Sequence, residues 1–428
     1  MTDRFEGPKG TFDYLPPTAG TRAVVERTVL GQARLAGYQL TETPVFEDTG
    51  LFARGVGQST DVVQKEMYTF ADKGGRSVTL RPELTAGVVR ALIEHGRLGG
   101  LVKVAFSGPC FRYERPQAGR QRQFHQVDIE AIGSPDPAVD ADVVLVGHEI
   151  FRALGIDVTL LLTSLGDPEC RPAYRERLLE FLRGLGDELP AEARARAEQN
   201  PLRVLDMKDP RVRELTAGAP LMRDWLCAAC KVHDDTVRSL LIEAGVPWVE
   251  APRLVRGLDY YTRTTFEWQA EALDAAQDAL GGGGRYDGLS ELVGGPPAPG
   301  IGWALGLDRI VLALERAGRL PEPPVQLQAM VLPLTPAARG TALVLVRDLR
   351  RAGVAADQPY AERSLRGHMK AAARTGARVV VLLGDDELAA GQASVRDMAA
   401  REQGRVPLEA VAARVAGIVA GGDPGAAP

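Results

Sequence analysis

The sequence predicts an α+β protein in which a mainly antiparallel sheet is followed by a smaller α/β domain. Two hairpin patterns, at 67–85 and 102–131, favour antiparallel pairing in the first third of the chain. Charged helical segments dominate residues 167–247, and a proline-rich linker occupies residues 321–328. Beyond this linker, strand-like and helical segments alternate, which predicts a small mixed sheet covered by helices.

Length and composition are those of a globular protein. The chain has 428 residues, which suggests two or three domains, and 45% of them are hydrophobic. No apolar run reaches the roughly 18 residues of a membrane span, and the N-terminus lacks a signal-peptide pattern, so we expect no membrane association. Only four cysteines occur, which favours a reducing compartment and a cytoplasmic location. The net charge of −5 disfavours non-specific binding of nucleic acid but allows a local RNA site.

The first elements are a helix at 21–36 and a strand-like segment at 41–48 that contains Pro44. A proline inside a strand indicates an edge or a junction, because it cannot donate to the ladder. After the hairpin at 67–85, Glu83 and Thr85 open an apolar helix. Glu83 could be a ligand-binding carboxylate, or it could simply stabilise the helix N-terminus.

The second hairpin presents an unusually polar face. On its first strand Phe111 and Tyr113 alternate with Arg112 and Glu114. On the returning strand, period-two alternation places three polar side chains on one face: Gln126, Asp128 and Glu130. An arginine fork suits phosphate, and carboxylates suit an ammonium or imidazole group. The alternative interpretation is a solvated hairpin face without a ligand.

The charged helical stretch at about 167–247 follows a predicted helix at 135–155 and a β-rich run at 157–166, and it is predicted to be a helical insertion. Besides Cys170, it contains Cys227, Cys230 and His233 in the pattern Cys-x-x-Cys-x-x-His. This pattern could begin a zinc site. Because a second clear ligand pair is absent, we expect buried free cysteines and no protein-bound zinc.

Two later stretches carry residues that packing alone does not require. RLVRGLDYYTRTTFEW at 253–268 runs from a loop into a strand, and its alternative interpretation is an edge strand with surface charge. GIGWALGLDRIV at 300–311 passes from a strand into a helix with Arg309 in the first turn, which is a plausible polyphosphate site. Between them, the glycine run of GGGGRYDGL leads into Tyr286.

These stretches together resemble the histidyl-tRNA synthetase family of class II aminoacyl-tRNA synthetases. FRYERPQAGRQRQFHQ is similar to motif 2, GIGWALGLDRIV to motif 3, and the helix and strand before residue 48 to motif 1, the dimer-interface element. LVRGLDYYTRTTFE and GGRYDGL resemble two signatures of the histidine pocket. The resemblance implies a class II antiparallel catalytic sheet at 1–320, with the helical insertion, and an anticodon-binding α/β domain at 327–428.

The resemblance also implies an activity and its partners. The expected enzyme is a histidine–tRNA ligase that activates L-histidine with ATP and magnesium to histidyl-adenylate and transfers histidine to the 3′ end of tRNA(His). The family works as a homodimer. Arg112 and Arg256 would be catalytic, beside the α-phosphate. The residues implied to bind ATP are Arg112, Glu114 and Arg309. The residues implied to bind histidine are Glu83, Thr85, Gln126, Glu130, Arg256, Tyr260, Tyr261 and Tyr286.

Within the histidine group, the resemblance assigns Glu83, Thr85 and Gln126 to the substrate ammonium, and Glu130 and Tyr261 to the imidazole. One alternative is the non-catalytic, histidine-binding regulatory subunit of ATP phosphoribosyltransferase. Such subunits typically lack the C-terminal domain and have an eroded RGLDYY segment. This chain has a C-terminal domain and an intact RGLDYY segment. A second alternative, a tRNA-binding module without activity, does not explain three arginines at phosphate positions. The slight excess of Lys and Arg over Asp and Glu at 327–428 suits RNA.

Overall fold

The computed structural model describes residues 5–57, 60–117, 119–255, 260–273, 278–323, 327–360 and 364–421. The chain forms two compact units, Met1–Glu322 and Pro323–Pro428. Across the described ranges, helices that combine the length and the apolar character needed to cross a membrane do not occur.

A large sheet forms the centre of the first unit. The strands of this unit are β1 (Gln39–Leu40), β2 (Phe46–Asp48), β3 (Tyr68–Ala71), β4 (Ser77–Leu80), β5 (Val102–Phe111), β6 (Gln123–Ile132), β7 (Val158–Ser164), β8 (Val249–Glu250), β9 (Thr262–Ala270), β10 (Ala279–Arg285) and β11 (Gly300–Gly306). Eight of them pair in the order β1-β5-β6-β11-β10-β9-β7-β8. All of these pairs are antiparallel except β1 with β5 and β7 with β8. The predicted antiparallel sheet and both predicted hairpins are confirmed.

Helices cover one face of this sheet and form the insertion. The helices of the first unit are α1 (Thr18–Leu35), α2 (Thr49–Gly55), α3 (Thr85–Glu94), α4 (Pro137–Leu154), α5 (Arg171–Gly184), α6 (Ala191–Gln199), α7 (Leu202–Leu205), α8 (Pro210–Leu215), α9 (Ala228–Glu243), α10 (Leu289–Leu292) and α11 (Leu307–Arg316). Apolar residues of α1, α4, α9 and α11 share one core with Ile129, Trp268 and Trp303 of the sheet. Burial of this apolar surface is the main favourable contribution to the stability of the layer.

The structure corrects two strand predictions. Strand β5 ends at Phe111, so Arg112 and Glu114 lie on the loop to β6 and not on a ladder. The Arg112 amide donates to the Arg122 carbonyl at 2.9 Å, and the Glu114 amide turns back onto the Arg112 carbonyl at 2.7 Å. The predicted strand at 41–48 is reduced to Phe46–Asp48, preceded by β1, because Pro44 interrupts the backbone donors between them.

The insertion is helical, as predicted, but its own core is shorter than 167–247. Helices α5 to α8 enclose a separate apolar cluster that extends from Cys170 to Cys230. The last helix, α9, contributes Val237 and Leu241 to the main core instead. The helical body that can be distinguished by its packing therefore begins near residue 170 and ends near residue 230.

The second unit has the mixed sheet that the sequence predicts. Its strands are β12 (Ala329–Pro333), β13 (Ala356–Asp357), β14 (Val379–Leu383), β15 (Gln392–Asp397) and β16 (Glu402–Pro407), in the order β13-β12-β14-β15-β16. Its helices are α12 (Arg339–Arg351), α13 (Leu365–Arg374), α14 (Asp385–Ala389) and α15 (Val411–Ala420). Helices α12 and α15 pack on one face and α13 on the other, since alternate residues of β12 and β14 belong to two different cores. The predicted fold class is confirmed: an α+β first unit with a mainly antiparallel sheet, and an α/β second unit with a mixed sheet.

Candidate functional site

A cavity of about 930 Å³ lies over the middle of the large sheet. Every described residue that the sequence analysis proposed as a ligand contributes to its wall. These residues are Glu83, Thr85, Arg112, Glu114, Gln126, Glu130, Tyr260, Tyr261, Tyr286 and Arg309. Arg256 lies outside the described residues.

The sheet itself creates the space above the polar row of β6. In the pairing of β6 with β11, Gln126, Asp128 and Glu130 stand opposite Gly306, Ala304 and Gly302. These partners have little or no side chain, so space remains beside the polar groups on the β11 side, whereas β5 places Gly108, Phe106 and Val104 opposite them on the other side. Gly302 is required here, because a Cβ atom at this position would collide with the Glu130 carboxylate.

Glu130 is a buried carboxylate held by two hydroxyl groups. Thr85 Oγ1 donates to Glu130 Oε1 at 2.6 Å, and the Tyr286 hydroxyl donates to Oε2. Burial raises the pKa of Glu130 to about 8, although the hydrogen bonds from Thr85 and Tyr286 act in the opposite direction. Thr85 thus contacts Glu130 directly, and the two residues act as one hydrogen-bonded group.

Asp128 is the most distinctive residue of the wall. It is 1% exposed, and neither of its carboxylate oxygens has a hydrogen-bond partner among the described residues. Burial raises the pKa of Asp128 well above its usual range, and the nearby Glu130 and Glu83 raise it further. Buried polar groups are normally hydrogen-bonded, so an unpaired carboxylate facing a cavity indicates a cationic ligand. The alternation of β6 placed Asp128 on the correct face, but the sequence analysis did not include it among the site residues.

Glu83 stabilises the N-terminus of α3, which is one of the two roles that the sequence left open for it. Its two carboxylate oxygens accept hydrogen bonds from the backbone amides of Thr85, at 2.8 Å, and Ala86, at 3.0 Å, at the start of α3. Burial raises the pKa of Glu83, while these amides and Arg112 lower it. Because a carboxylate oxygen has two lone pairs, this helix contact leaves acceptor capacity toward the cavity.

Aromatic rings form a further part of the wall. The rings of Tyr260 and Tyr261 lie 4.7 Å apart, and that of Tyr286 lies 5.7 Å from Tyr260, all between centroids. Tyrosines in such an array provide an apolar surface together with hydroxyl groups. Gln126, on the polar row, accepts a hydrogen bond from the Cys110 thiol at 3.1 Å.

Arginines provide the cationic part of the wall. Arg112 Nε donates to the Pro82 carbonyl at 2.9 Å, and its guanidinium lies 5.2 Å from the ring of Phe124. Arg309 donates to the backbone carbonyls of Gly119 and Ala279. Carboxylates of the described residues form no ion pair with either guanidinium, and Glu114 pairs with Arg120 instead, so an anionic ligand would not have to displace an acidic side chain from them.

The insertion contributes side chains that the sequence analysis missed. Leu205, Asp206, Lys208 and Arg213 line the same cavity, together with Arg253 from the segment that follows the insertion. Neither spacing nor composition distinguished these residues from the other charged residues of the insertion.

The Cys-x-x-Cys-x-x-His group is not brought together. His233 Nε2 lies 2.8 Å from Asp140 Oδ2, on the face of α9 that packs against α4. Cys227 and Cys230 lie instead beside Cys170, whose sulfur is 3.9 Å from that of Cys230. None of the four cysteines, all of which the structure describes, forms a disulfide, and their neighbours are different from those suggested by the sequence spacing.

Comparison with known proteins identifies what this architecture is similar to. A family model described as histidyl-tRNA synthetase matches residues 10–169 and 184–310, and one described as an anticodon binding domain matches residues 328–418. The histidine–tRNA ligase of Rhodococcus erythropolis is 53% identical over 97% of this chain and 98% of its own length. That of Nocardia farcinica is 55% identical over 95% of this chain and 96% of its own length. The crystal structure of apo S. aureus histidyl-tRNA synthetase has a TM-score of 0.82 at 35% identity and covers 96% of this chain and 100% of that one.

The raised pKa of Glu130 predicts a pH dependence of stability. A carboxyl group with a pKa of about 8 when folded and 4.5 when unfolded binds more protons in the folded protein, so its contribution to stability falls between those pH values. Glu130→Gln should therefore gain stability relative to wild type as the pH rises from 5 to 8, by about 1 kcal/mol or more. Urea unfolding at both pH values measures this, with Asp157→Asn as a control whose side chain is 76% exposed. An equal stability difference at both pH values would contradict the raised pKa.

Proposed function

This chain belongs to the histidyl-tRNA synthetase family and is a histidine–tRNA ligase, and from this premise we propose that its cavity binds L-histidine against the buried carboxylates and ATP against the arginines. The histidine carboxylate attacks the α-phosphate and releases pyrophosphate. The terminal adenosine hydroxyl of tRNA(His) then attacks the histidyl-adenylate and releases AMP. The observation that carries the proposal is one cavity lined by Glu83, Asp128 and Glu130 and by Arg112 and Arg309. The alternative of a non-catalytic regulatory subunit is excluded, because the chain is 53% and 55% identical to histidine–tRNA ligases over nearly its whole length.

The proposed histidine subsite contains three buried carboxylates, Glu83, Asp128 and Glu130, which together favour a cationic ligand. Histidine brings an ammonium group and an imidazole, and both can donate to carboxylates. We assign the ammonium to Glu83 with Gln126, and we add Asp128 because its carboxylate has no partner among the described residues. Ligand binding would then compensate for the burial that raises the pKa values of these acids.

The imidazole is assigned to Glu130 and Tyr261, with Tyr260 and Tyr286 enclosing the ring. Tyr286 and Thr85 fix both oxygens of Glu130, so its carboxylate is oriented before the ligand arrives. A fixed acceptor in a buried site discriminates strongly against amino acids that lack a donor at this position, because the carboxylate would remain unpaired. Thr85, proposed from the sequence as an ammonium ligand, is better placed to orient Glu130.

The proposed phosphate subsite contains Arg112, Arg256 and Arg309. Arg112 lies close enough to Glu83 and Asp128 to lower their pKa values, which favours a position between the amino acid and the nucleotide. We therefore assign the α-phosphate to Arg112 and Arg256, as the family resemblance implies, and the γ-phosphate to Arg309. The main contributions to rate would be alignment of the carboxylate with the phosphorus and stabilisation of charge on the phosphate oxygens.

Magnesium fits the same region. Mg²⁺ prefers carboxylate and phosphate oxygens, and Glu114, Glu267 and Asp278 line the cavity close enough to Arg309 to influence its pKa. These carboxylates would hold the ion, which would neutralise negative charge on the polyphosphate. Glu114, assigned to ATP from the sequence, would act through this contact.

The remaining proposals concern partners and location. We assign residues 1–320 to catalysis and 327–428 to binding of the tRNA anticodon. Lys208 and Arg213 of the insertion line the cavity and are suited to phosphates of the tRNA acceptor end. We further propose a homodimer in the cytoplasm, which the resemblance of residues 21–48 to motif 1 and the low cysteine content favour.

The first functional prediction separates the two ends of the cavity. Asp128→Asn and Glu130→Gln keep the side-chain shape but remove the charge, so each should raise the Kd for histidine at least tenfold, which corresponds to about 1.4 kcal/mol. The Kd for ATP should change less than twofold. Equilibrium titration with each ligand measures both, with Asp157→Asn as the surface control. Equal losses for histidine and ATP would show that these carboxylates support the fold and not the substrate.

The second prediction concerns the α-phosphate. Arg112→Ala and Arg256→Ala should each lower the rate of adenylate formation by roughly two orders of magnitude, as loss of an oxyanion donor does. Lysine should not restore the rate, because a point charge cannot reproduce the guanidinium fork. Single-turnover formation of histidyl-adenylate measures the step. Arg316→Ala, outside the cavity wall, is the matched control; rates within a few-fold of wild type for Arg112→Ala or Arg256→Ala would refute the assignment.

The third prediction separates the two units. A protein truncated after Glu322 retains every residue proposed for the chemistry and should keep histidine-dependent exchange of pyrophosphate into ATP. It should lose most charging of tRNA(His), because the second unit no longer tethers the tRNA. Circular dichroism and gel filtration control for folding and assembly. A folded truncated protein that charges tRNA as fast as the full chain would exclude residues 327–428 from tRNA binding.

A further inference from the structure

Four potential metal ligands meet at the base of the helical insertion. Asp167 and Cys170 lie where the chain enters the insertion, and Cys227 and Cys230 lie where its separate core ends. Their ligand atoms, one from each residue, all lie within 4.8 Å of one another. Cys170 and Cys230 are buried, and the other two are half-buried.

The distances within this cluster are those of a tetrahedral zinc site. Two sulfurs bound to one zinc at about 2.3 Å lie about 3.8 Å apart, and a sulfur and a carboxylate oxygen lie about 3.5 Å apart. The Cys170 and Cys230 sulfurs are separated by 3.9 Å. Asp167 Oδ1 lies 3.5 Å from the Cys170 sulfur and 3.9 Å from the Cys227 sulfur. A single ion can therefore reach all four atoms with little rearrangement.

The surroundings orient the sulfurs and the carboxylate. Cys170 is the N-cap residue of α5, and Cys227 is that of α9, so two helix N-termini direct partial positive charge to the cluster. The Cys230 amide donates to the Cys227 sulfur at 3.5 Å, and the Asp167 amide donates to the Cys170 sulfur at 3.4 Å. Arg263 Nη2 contacts Asp167 Oδ2 at 3.2 Å, which leaves Oδ1 directed at the sulfurs. Such outer contacts orient ligands and balance their charge.

We propose that Asp167, Cys170, Cys227 and Cys230 bind one zinc ion that closes the base of the helical insertion. Sulfur-rich tetrahedral ligation selects zinc over magnesium or calcium, and four protein ligands leave no open position, so the site is structural and not catalytic. The ion would link two chain segments about 57 residues apart.

This inference replaces the expectation of free cysteines drawn from the sequence. The Cys-x-x-Cys pair was recognised, but His233, its nearest candidate partner in sequence, is bound to Asp140. The second ligand pair comes from Asp167 and Cys170, about 60 residues earlier, which only the folded insertion brings into contact. The proposal is independent of the assignments in the cavity, because it is tested by metal binding and not by catalysis.

The test is the metal content and metal affinity of the full-length protein, kept reduced with a phosphine that does not compete for zinc. Wild type should contain close to one zinc per chain after purification, by mass spectrometry of the metal. Cobalt substitution should give the intense visible bands of tetrahedral thiolate coordination. Cys227→Ser should reduce the zinc content to a small fraction. Arg263→Gln, which removes only the outer contact, should weaken zinc binding by about 10- to 100-fold.

Cys110→Ser provides the matched control, since Cys110 lies on β5 and belongs to a different apolar cluster. It should retain one zinc per chain. Zinc should raise the thermal midpoint of metal-free wild type and leave that of metal-free Cys227→Ser unchanged. The proposal is overturned if reduced wild type neither contains zinc nor takes it up at micromolar concentration, or if Cys227→Ser binds zinc as tightly as wild type.

Discussion

The fully buried carboxylate of Asp140 is the contact on which the arrangement of the first unit depends. It accepts hydrogen bonds from Arg285 of β10, His233 of α9 and Thr264 of β9, and so joins the helix layer to two strands of the sheet. A charge is tolerated in such a position only when it is paired and fully hydrogen-bonded, so removing one partner would leave the others uncompensated. Tyr286 follows Arg285 directly, and its hydroxyl reaches Glu130. The network thus fixes the strand end that carries Tyr286 of the proposed histidine subsite.

The cavity exists because the neighbouring strands are deficient in side chains. Gly302 faces Glu130 across the sheet, and Gly283 of β10 packs so closely on β11 that a Cβ atom would meet the Gly302 carbonyl. The missing side chains reduce the packing contacts in this part of the sheet. They also leave the carboxylates poorly solvated, and this burial raises the pKa values of Asp128 and Glu130. Local structure that opposes stability in this way is characteristic of binding sites.

Sequence patterns anticipated the features that arise from local physics. Alternation on β6 placed Gln126, Asp128 and Glu130 on one face, and the linker after residue 320 separated two units, because both signals follow from backbone geometry and composition. Alternation failed beyond Phe111: the Arg112 amide still bonds across the hairpin to the Arg122 carbonyl, but the Glu114 amide turns back onto the Arg112 carbonyl. The importance of Asp128 could not be predicted, because it follows from the lack of hydrogen-bond partners for its carboxylate among the described residues of the folded protein.

The insertion gives a second example, in which sequence spacing suggested a contact that the folded protein does not form. Its cysteine spacing suggested His233 as a partner of Cys227 and Cys230, yet His233 is bonded to Asp140. The two cysteines, at the start of α9, lie instead beside Asp167 and Cys170 at the entry to the insertion. The next residue after Cys170, Arg171, donates to the Tyr261 carbonyl at 2.6 Å. The base of the insertion and the aromatic wall of the cavity therefore share one hydrogen-bonded segment. This hydrogen bond joins the start of α5, beside the cysteine cluster, to the backbone of Tyr261, so the insertion contacts the proposed histidine subsite as well as forming part of the cavity wall.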